Sequence, residues 1–555
     1  MSWSRPPAEA TNESVGSGDR TPVTEADVCV IGSGPAGGIV ATQLAEAGHE
    51  VVILEAGPRF DPADRLARQE RAIRPAYDRP DVWDGDPERD AHAASGEWFY
   101  PLNHARVKGV GGSTLHWQGM VMRLHEDDFE SASARGAGVD WPIDYADLRP
   151  YYADAEQELG VSGADNPFGP PREVPHPMPA FPPSYSDSLF APACDALEIA
   201  MHPVPNARNS EAYDGRGGCV GYGTCQPVCP SGAKYDATVH VERAEAAGAT
   251  VLDRVPVTRL EHGPDAVEAA VYATPDGDTY RQEADAFVVA CGGVETPRLL
   301  LVSESDHYPD GLANSSDLVG RYFMDHLFAG MGGVLEEPTR QNHVGFLTSE
   351  CHQFYDEADE EVAPFKLEFF NYAGPSPVEL ALTGDDWGDT LLERLQAEYG
   401  THVGVGALVE QLPREDSYVG LDRERTDDNG VPIPDVHWNV GERALRTVER
   451  VNEIQRSILE ELGTEITWQV GPENTGPAYH HMGTTRMGED PAESVVDPSL
   501  RTHDLENCWL VSSSVFPTGG AMNPTLTIAA LALRAAEVIE DALCARHHPT
   551  SPSLF

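Results

Sequence analysis

Lysine is almost missing from this chain: Lys108, Lys234 and Lys366 are the only three in 555 residues. With arginine they make 38 basic residues against 91 acidic ones, a formal net charge of −53. No basic stripe exists to neutralise phosphates, which excludes nucleic acid as a partner. No apolar run is long enough for a membrane span; the most apolar stretch, 525–539, is broken by Arg534. The N-terminal residues MSWSRPPAEATNESVGSGDRTPVTEAD contain neither an apolar h-region nor a twin arginine. Residues 1–24 therefore read as a disordered arm rather than an export signal, and the cytoplasm is the default compartment. Nine cysteines in a chain this long make no disulfide framework. The acids are spread along the sequence, as in a solvated shell that keeps a protein soluble in concentrated salt. A halophilic source is the expectation. With 40% hydrophobic residues the chain buries a large core, in two domains.

What is present begins at residue 27. Val28, Val30 and Ile31 form a short apolar strand, and Gly32, Gly34 and Gly37 follow as G-x-G-x-x-G. A helix is predicted over about 35–47, then a second strand at 51–54 with Glu55 at its end. In such a unit the first glycine bends the chain and the second admits backbone to a pyrophosphate. The third lets helix pack on strand. The helix aims its first N–H groups at phosphates, and Glu55 sits where a carboxylate accepts both ribose hydroxyls. Strand, glycines, helix, strand and acid in register predict a dinucleotide-binding unit that holds an adenine cofactor.

Residues 58–100, rich in Arg, Asp and Pro, read as a surface excursion. Gly109, Gly111 and Gly112 permit a second close approach of backbone to a ligand. A helix is predicted at 145–159, after Trp141-Pro142, and extended proline-rich connections over 163–210. Strand patterns resume at 249–260, 266–274 and 287–290, followed by a helix at 298–302 with Pro297 in its first turn. Residues 331–470 alternate strand-like stretches such as 402–409 with acidic loops and read as a second domain. Strand 509–511 and an apolar helix within 519–543 close the chain. The class is α/β, α+β overall, without internal repeats.

Four blocks together resemble the glucose–methanol–choline (GMC) flavoprotein oxidoreductases over nearly the full length. They are the N-terminal glycine motif with Glu55; Gly109-Val110-Gly111-Gly112-Ser113-Thr114-Leu115-His116-Trp117; and the segment from Gly292 to Leu300, although Glu304 stands where the family has a glycine. The fourth joins Tyr479-His480-His481-Met482-Gly483-Thr484 to Gly519-Gly520-Ala521-Met522-Asn523-Pro524-Thr525. The resemblance implies a Rossmann-like FAD domain assembled from 25–130, 211–330 and 471–545. A mostly antiparallel sheet with helices, from 131–210 and 331–470, would form the substrate-binding cap, and 546–555 a tail. Implied FAD contacts are Gly32, Gly34, Pro35, Ala36, Gly37, Glu55 and Ala56, then Gly109, Gly111, Gly112, Ser113, His116 and Trp117. Val257, Cys291, Gly292, Thr296, Ser514, Val515, Asn523, Pro524 and Thr525 complete the set.

Oxidising an alcohol requires a proton to leave oxygen while hydride leaves carbon. Imidazole suits the first task; the flavin carries the second. By resemblance His480 is the base and Asn523 orients the substrate oxygen, while the adjacent His481 diverges. His116-Trp117 matches the pair that pyranose-oxidase-like members link covalently to the flavin 8-methyl group; a histidine packed there without a bond is the other reading. Cys219, Cys225 and Cys229 form C-x5-C-x3-C, three local ligands where zinc and iron–sulfur sites generally have four. Packed thiols lead, a disulfide and a cluster stay open, and no metal is assigned. Neither the C-x4-C of flavin disulfide reductases nor a second, nicotinamide-type glycine fingerprint is found. Ser512 stands where the family commonly has an aspartate, so its role as a cofactor ligand is in question. That departure tilts the chain toward the gluconate- and glucoside-dehydrogenase-like branch, whose members often work with a small partner subunit that can carry an export signal. The expectation is an FAD-dependent dehydrogenase for sugars, sugar acids, polyols or alcohols, with quinone, cytochrome or oxygen as acceptor. An oxygen-using oxidase and a non-redox flavin lyase are the alternatives.

Overall fold

The computed structural model describes residues 20–74, 82–339, 345–371 and 373–547. Residues 1–19 of the expected N-terminal arm and 548–555 of the expected tail lie outside the described residues. The chain is anchored from Arg20 onward, so the arm ends before residue 24. The Arg20 guanidinium pairs with Asp253 at 2.9 Å, and the Val23 N–H donates to Gln282 at 2.8 Å.

Five short strands pair in parallel in the order Cys508–Leu510, Ala286–Val289, Val28–Ile31, Val51–Leu54, Thr250–Leu252. The first four are uniformly buried. A parallel sheet is covered on both faces, so its strands read as unbroken apolar runs rather than alternating ones. The helix Pro35–Glu46 packs between Thr238–Ala246 and the C-terminal helix Thr525–His547. Its close seating depends on Gly37, where a Cβ would lie 2.0 Å from the Gly32 carbonyl oxygen.

The predicted strand 249–260 divides. Thr250–Leu252 joins the parallel sheet, whereas Val257–His262 pairs antiparallel with Val267–Ala273, which in turn holds the unanticipated Thr279–Gln282. Arg254 at φ 57° and Pro256 break the run between them. The helix expected at 298–302 begins earlier and spans Gly292–Val302, so Pro297 lies inside it. Proline removes the bond to the carbonyl four residues back. That carbonyl, on Gly293, accepts the Thr484 hydroxyl at 2.8 Å instead, which is what lets the helix run through.

A second sheet is antiparallel in every pairing. Its order is Glu465–Val470, Leu327–Val334, His402–Val409, Phe365–Phe370, Leu347–Cys351, His202–Pro203. Alternation sorts its residues by face. Ala329, Ala407 and Leu367 align across three strands on the face that packs on two helices, Glu442–Glu461 against the strands of Leu327, Met331 and Val405 and Tyr185–Ala196 against that of Phe369. The opposite face carries Phe328, Leu408 and Lys366 in one row and Gly330, Gly406 and Glu368 in the next.

Residues 163–210 are not all extended: Tyr185–Ala196 is a helix. Its capping box was readable as Ser184-x-x-Asp187. The Ser184 hydroxyl accepts from the Asp187 N–H at 3.0 Å, and the Asp187 carboxylate from the Ser184 N–H at 2.7 Å. The helix at Tyr145–Leu159 starts on the same device at Asp144 and Asp147.

Gly37→Ala should lower the free energy of urea unfolding by about 3 kcal/mol, the upper range for overpacking against backbone that cannot move. An unchanged unfolding midpoint would show that the helix seats elsewhere.

Candidate active site

Between the carboxyl ends of the parallel strands and the Lys366 face of the antiparallel sheet lies a cavity of about 700 Å³. One end is walled by Gly32, Gly34, Pro35, Ala36, Glu55 and Ala56. Gly112, Ser113, His116, Trp117 and Val257 follow, then Cys291, Gly292, Asn523, Pro524 and Thr525. His480 and His481 stand with Phe328, Phe346, Glu368, Leu408 and Val470 at the cap side.

Six of the expected contacts do not line it. Gly37 is used for helix packing, and Gly109 makes room for Phe60, whose ring a Cβ would meet at 2.5 Å. Gly111, at φ 103°, shapes the turn that presents Gly112 and Ser113. Thr296 is fully buried on the inner side of its helix. After the strand Cys508–Leu510 the chain tightens into a short turn, Ser513–Val515, which carries Ser514 and Val515 into the core. The Ser514 hydroxyl meets Thr485 at 2.7 Å there. Ser512 and Ser513 face the cavity in their place. The Ser512 hydroxyl accepts from the Ser514 N–H at 3.1 Å and so caps the turn.

The nucleotide end fits a dinucleotide. Helix Pro35–Glu46 starts without a side-chain cap, so its first N–H groups remain for phosphate oxygens. A Cβ on Gly112 would lie 3.0 Å from the Gly34 Cα, so two glycine turns abut where backbone must approach a ligand. Glu55 accepts from the Ser33 N–H at 3.0 Å and hydroxyl at 2.7 Å through Oε2, and from the Gly57 N–H at 2.9 Å through Oε1. Burial raises its pKa, against those donors and the Lys108 charge. Its remaining acceptor capacity is mainly on Oε1.

Two segments converge on the chemistry. Met324 and Met482 form an antiparallel bridge, bonded in both directions at 3.0 Å, which sets Asp325-His326 beside His480-His481. The His326 and His480 Nδ1 atoms lie 2.8 Å apart, and His326 Nε2 is 3.3 Å from the Gly519 carbonyl. A carbonyl only accepts, so His326 carries its proton on Nε2. Burial depresses His326 to about 4, so the ring is neutral and its Nδ1 is an acceptor. His480 must then donate from Nδ1, and its Nε2 holds the acceptor lone pair. The Asn523 amide agrees, donating from Nδ2 to that nitrogen at 3.3 Å. Burial, then the repulsion that two protonated rings would feel and the Lys366 charge, hold His480 well below the usual histidine range.

Asp325 fixes the segment from below. It accepts from the His480 N–H at 2.8 Å and from the Tyr100 hydroxyl. Burial pushes its pKa up to about 7 although its neighbours are donors. His481 turns toward Tyr100 and Phe323, with ring centroids 5.6 and 6.2 Å away. Asn523 Oδ1 and His481 Nε2 are buried with no hydrogen-bond partner among the described residues, so polar groups of a bound ligand fit here.

Asp325, His326 and all three lysines escaped sequence reasoning as site residues. Lys234, 2% exposed, donates to the carbonyls of Leu115, Trp117 and Cys225 at 3.3, 2.5 and 2.8 Å, bracing the His116-Trp117 wall from behind. Lys108 sits 3.4 Å from Glu295; burial would raise that carboxyl, but Lys108, Arg298 and Arg106 hold it well below its usual range. The available signal was scarcity, since lysines in a lysine-poor chain are those that arginine cannot replace. Cys219, Cys225 and Cys229 are free thiols. Cys225 lies 3.5 Å from Arg208, and the Lys234 N–H donates to Cys229 at 3.5 Å.

Comparison with known proteins adds three matches to sequence profiles. FAD binding domain matches residues 25–67, and GMC oxidoreductase matches 101–328 and 413–532. The fructose dehydrogenase large subunit of Gluconobacter japonicus is 35% identical, over 93% of this chain and 97% of that one. The 2-methyl-1,2-propanediol dehydrogenase of Mycolicibacterium austroafricanum is 32% identical, over 94% and 96%. Among solved structures, pyridoxine 4-oxidase from Mesorbium loti superposes with a TM-score of 0.63 at 20% identity, over 93% and 99%, a likeness of fold.

The tautomer is measurable. Histidine 15N NMR at neutral pH should show His480 protonated on Nδ1 only, and His326→Ala should abolish that preference. A proton resident on His480 Nε2 would overturn the hydrogen-bond direction.

Proposed function

We propose, for a chain that belongs to the GMC oxidoreductase family and is an FAD-dependent oxidoreductase acting on CH–OH groups, that His480 is the base and Asn523 its partner. The observation that carries this reading is the relay from the Gly519 carbonyl through His326 to His480, which makes Nε2 the acceptor nitrogen, paired with the Asn523 amide at the cavity wall. Bound FAD supplies the acceptor for the substrate's hydride at its N5. His480 Nε2 takes the hydroxyl proton, while the Asn523 amide orients the same oxygen. The His480 Nδ1–H bond to His326 holds the ring in the receptive tautomer and orientation. No proton must first be lost from the base, because its depressed pKa keeps it neutral.

Gly32, Gly34, Pro35, Ala36, Glu55 and Ala56 hold the adenosine and pyrophosphate in this reading. Gly112, Ser113, His116, Trp117, Cys291 and Gly292 border the flavin, with Ser512, Ser513, Pro524 and Thr525 completing the wall. Segments 25–130, 211–330 and 471–545 form the FAD domain, and 131–210 with 331–470 the cap. Substrates are sugars, polyols or related CH–OH compounds, in line with two relatives named for fructose and a propanediol. An electron acceptor outside the chain, quinone, cytochrome or oxygen, reoxidises the flavin. A small partner subunit is part of the proposal, supported by the relative named as a large subunit. Among the described residues no helix is long and apolar enough to cross a membrane.

The test is an anaerobic screen of sugars, polyols and simple alcohols for bleaching of the flavin spectrum in high salt. A substrate should bleach it stoichiometrically; turnover without bleaching would indicate lyase chemistry. His480→Ala should retain FAD and slow flavin reduction by about 10³-fold, and unimpaired reduction would end the assignment. As pH falls, kcat/KM should hold through 6.5 and drop only below it, since the base protonates at a depressed pKa. An ionisation seen near pH 7 belongs to Asp325 and should vanish in Asp325→Asn; its persistence would assign it elsewhere.

A further inference from the structure

The strand Phe365–Phe370 places two charged side chains on a buried face. Leu367 and Phe369 enter the core under the sheet, while Lys366 and Glu368 alternate with them toward the cavity side. Lys366 is 0% exposed, and its ammonium lies 3.1 Å from Glu350 and 2.8 Å from Glu368 Oε1. Burial would lower its pKa, but the two carboxylates hold it above the usual lysine value, so it stays charged. One carboxylate suffices to neutralise one ammonium. His352, 3.0 Å from Glu350, is held neutral by burial, so the second carboxylate leaves an uncompensated negative charge in an enclosed site, a costly arrangement unless something else uses it.

Glu368 shows where that charge faces. It lines the same cavity as His480 and Asn523. Lys366 occupies Oε1, whereas Oε2 accepts no hydrogen bond among the described residues and is not sealed from the cavity. Around it the wall is apolar, built from Phe328, Phe346, Leu408 and Val470. Glu368 and the reacting pair thus border one cavity without touching each other.

We propose that Glu368 is the substrate anchor, its Oε2 accepting a hydrogen bond from a hydroxyl remote from the carbon being oxidised. The substrate is then a neutral polyhydroxylated molecule, a sugar or polyol, and sugar acids are turned away. A substrate carboxylate beside Glu368 would set two anions together where water does not screen them. Lys366 cannot relieve that repulsion, since its ammonium is enclosed and engaged by two carboxylates. A substrate with one hydroxyl leaves Oε2 without a donor and binds weakly. This inference rests on His480 and Asn523 marking the reacting end.

The experiment compares linear polyols with aldonic acids of the same chain length and with simple one-hydroxyl alcohols, by anaerobic flavin reduction and by spectral titration for Kd. The wild type should favour the polyol over its matched acid by about 100-fold or more in kcat/KM. In Glu368→Gln the polyol Kd and KM should rise about tenfold, the size of a lost hydrogen bond to a charge. FAD content should be unchanged, and the acid should gain. If Glu368→Gln does not fold with FAD, the wild-type comparison decides alone. Equal use of polyol and acid, preference for one-hydroxyl alcohols, or an unchanged polyol Kd in Glu368→Gln would each overturn the anchor while leaving the family reaction intact. Failure of every CH–OH compound to bleach the flavin would overturn the underlying reading and the anchor with it.

Discussion

The contact on which the site depends is the 2.8 Å hydrogen bond between the Nδ1 atoms of His326 and His480. His326 stands at the entry of the antiparallel strand Leu327–Val334, while His480 lies on the segment leading back toward the parallel sheet. One bond thus joins the layer facing the substrate to the layer that cradles the nucleotide. Its direction is fixed by the Gly519 carbonyl. Backbone geometry is thereby converted into a proton position, the more secure because His326 is fully buried and both rings are neutral.

Charge is organised on the same principle of enclosure. The chain has shed lysine elsewhere, yet Lys366 is fully buried, Lys234 is 2% exposed and the Lys108 side chain 13% exposed. Each spends its ammonium on fixed acceptors: carbonyls behind the His116-Trp117 wall, Glu295 at the nucleotide side, and two glutamates under the cap. An ammonium is a compact charge with three donors, which suits three acceptors converging from different directions; a planar guanidinium does not. Exposed ion pairs, by contrast, are made by arginine, and each is worth little singly.

What the sequence made legible was local. The glycine turn, its flanking strands and Glu55 lie within thirty residues of one another, so the chemistry of each position could be read in place. Tyr145–Leu159 and His402–Val409 carry clean periodicity, and both are elements of the structure. The Asn523 amide and His480 were visible through short motifs, and the fold sets them 3.3 Å apart. His326 was hidden because its meaning arises across 154 residues of separation, and an Asp-His pair before a strand says nothing alone. The helix expected at 298–302 starts at Gly292 instead for the same reason, since a remote hydroxyl from Thr484 takes the carbonyl that Pro297 frees. Lys366 and Glu368 carry no motif, and only the sheet register sets both on the inward face.

The most direct test of this account is a crystal structure with FAD and a non-oxidisable polyol bound. The account predicts one alcohol oxygen within hydrogen-bonding reach, about 3 Å, of both His480 Nε2 and Asn523 Nδ2, with the His326–His480 contact intact. An alcohol oxygen held by His481 instead, or a His480 ring rotated away from His326, would contradict it.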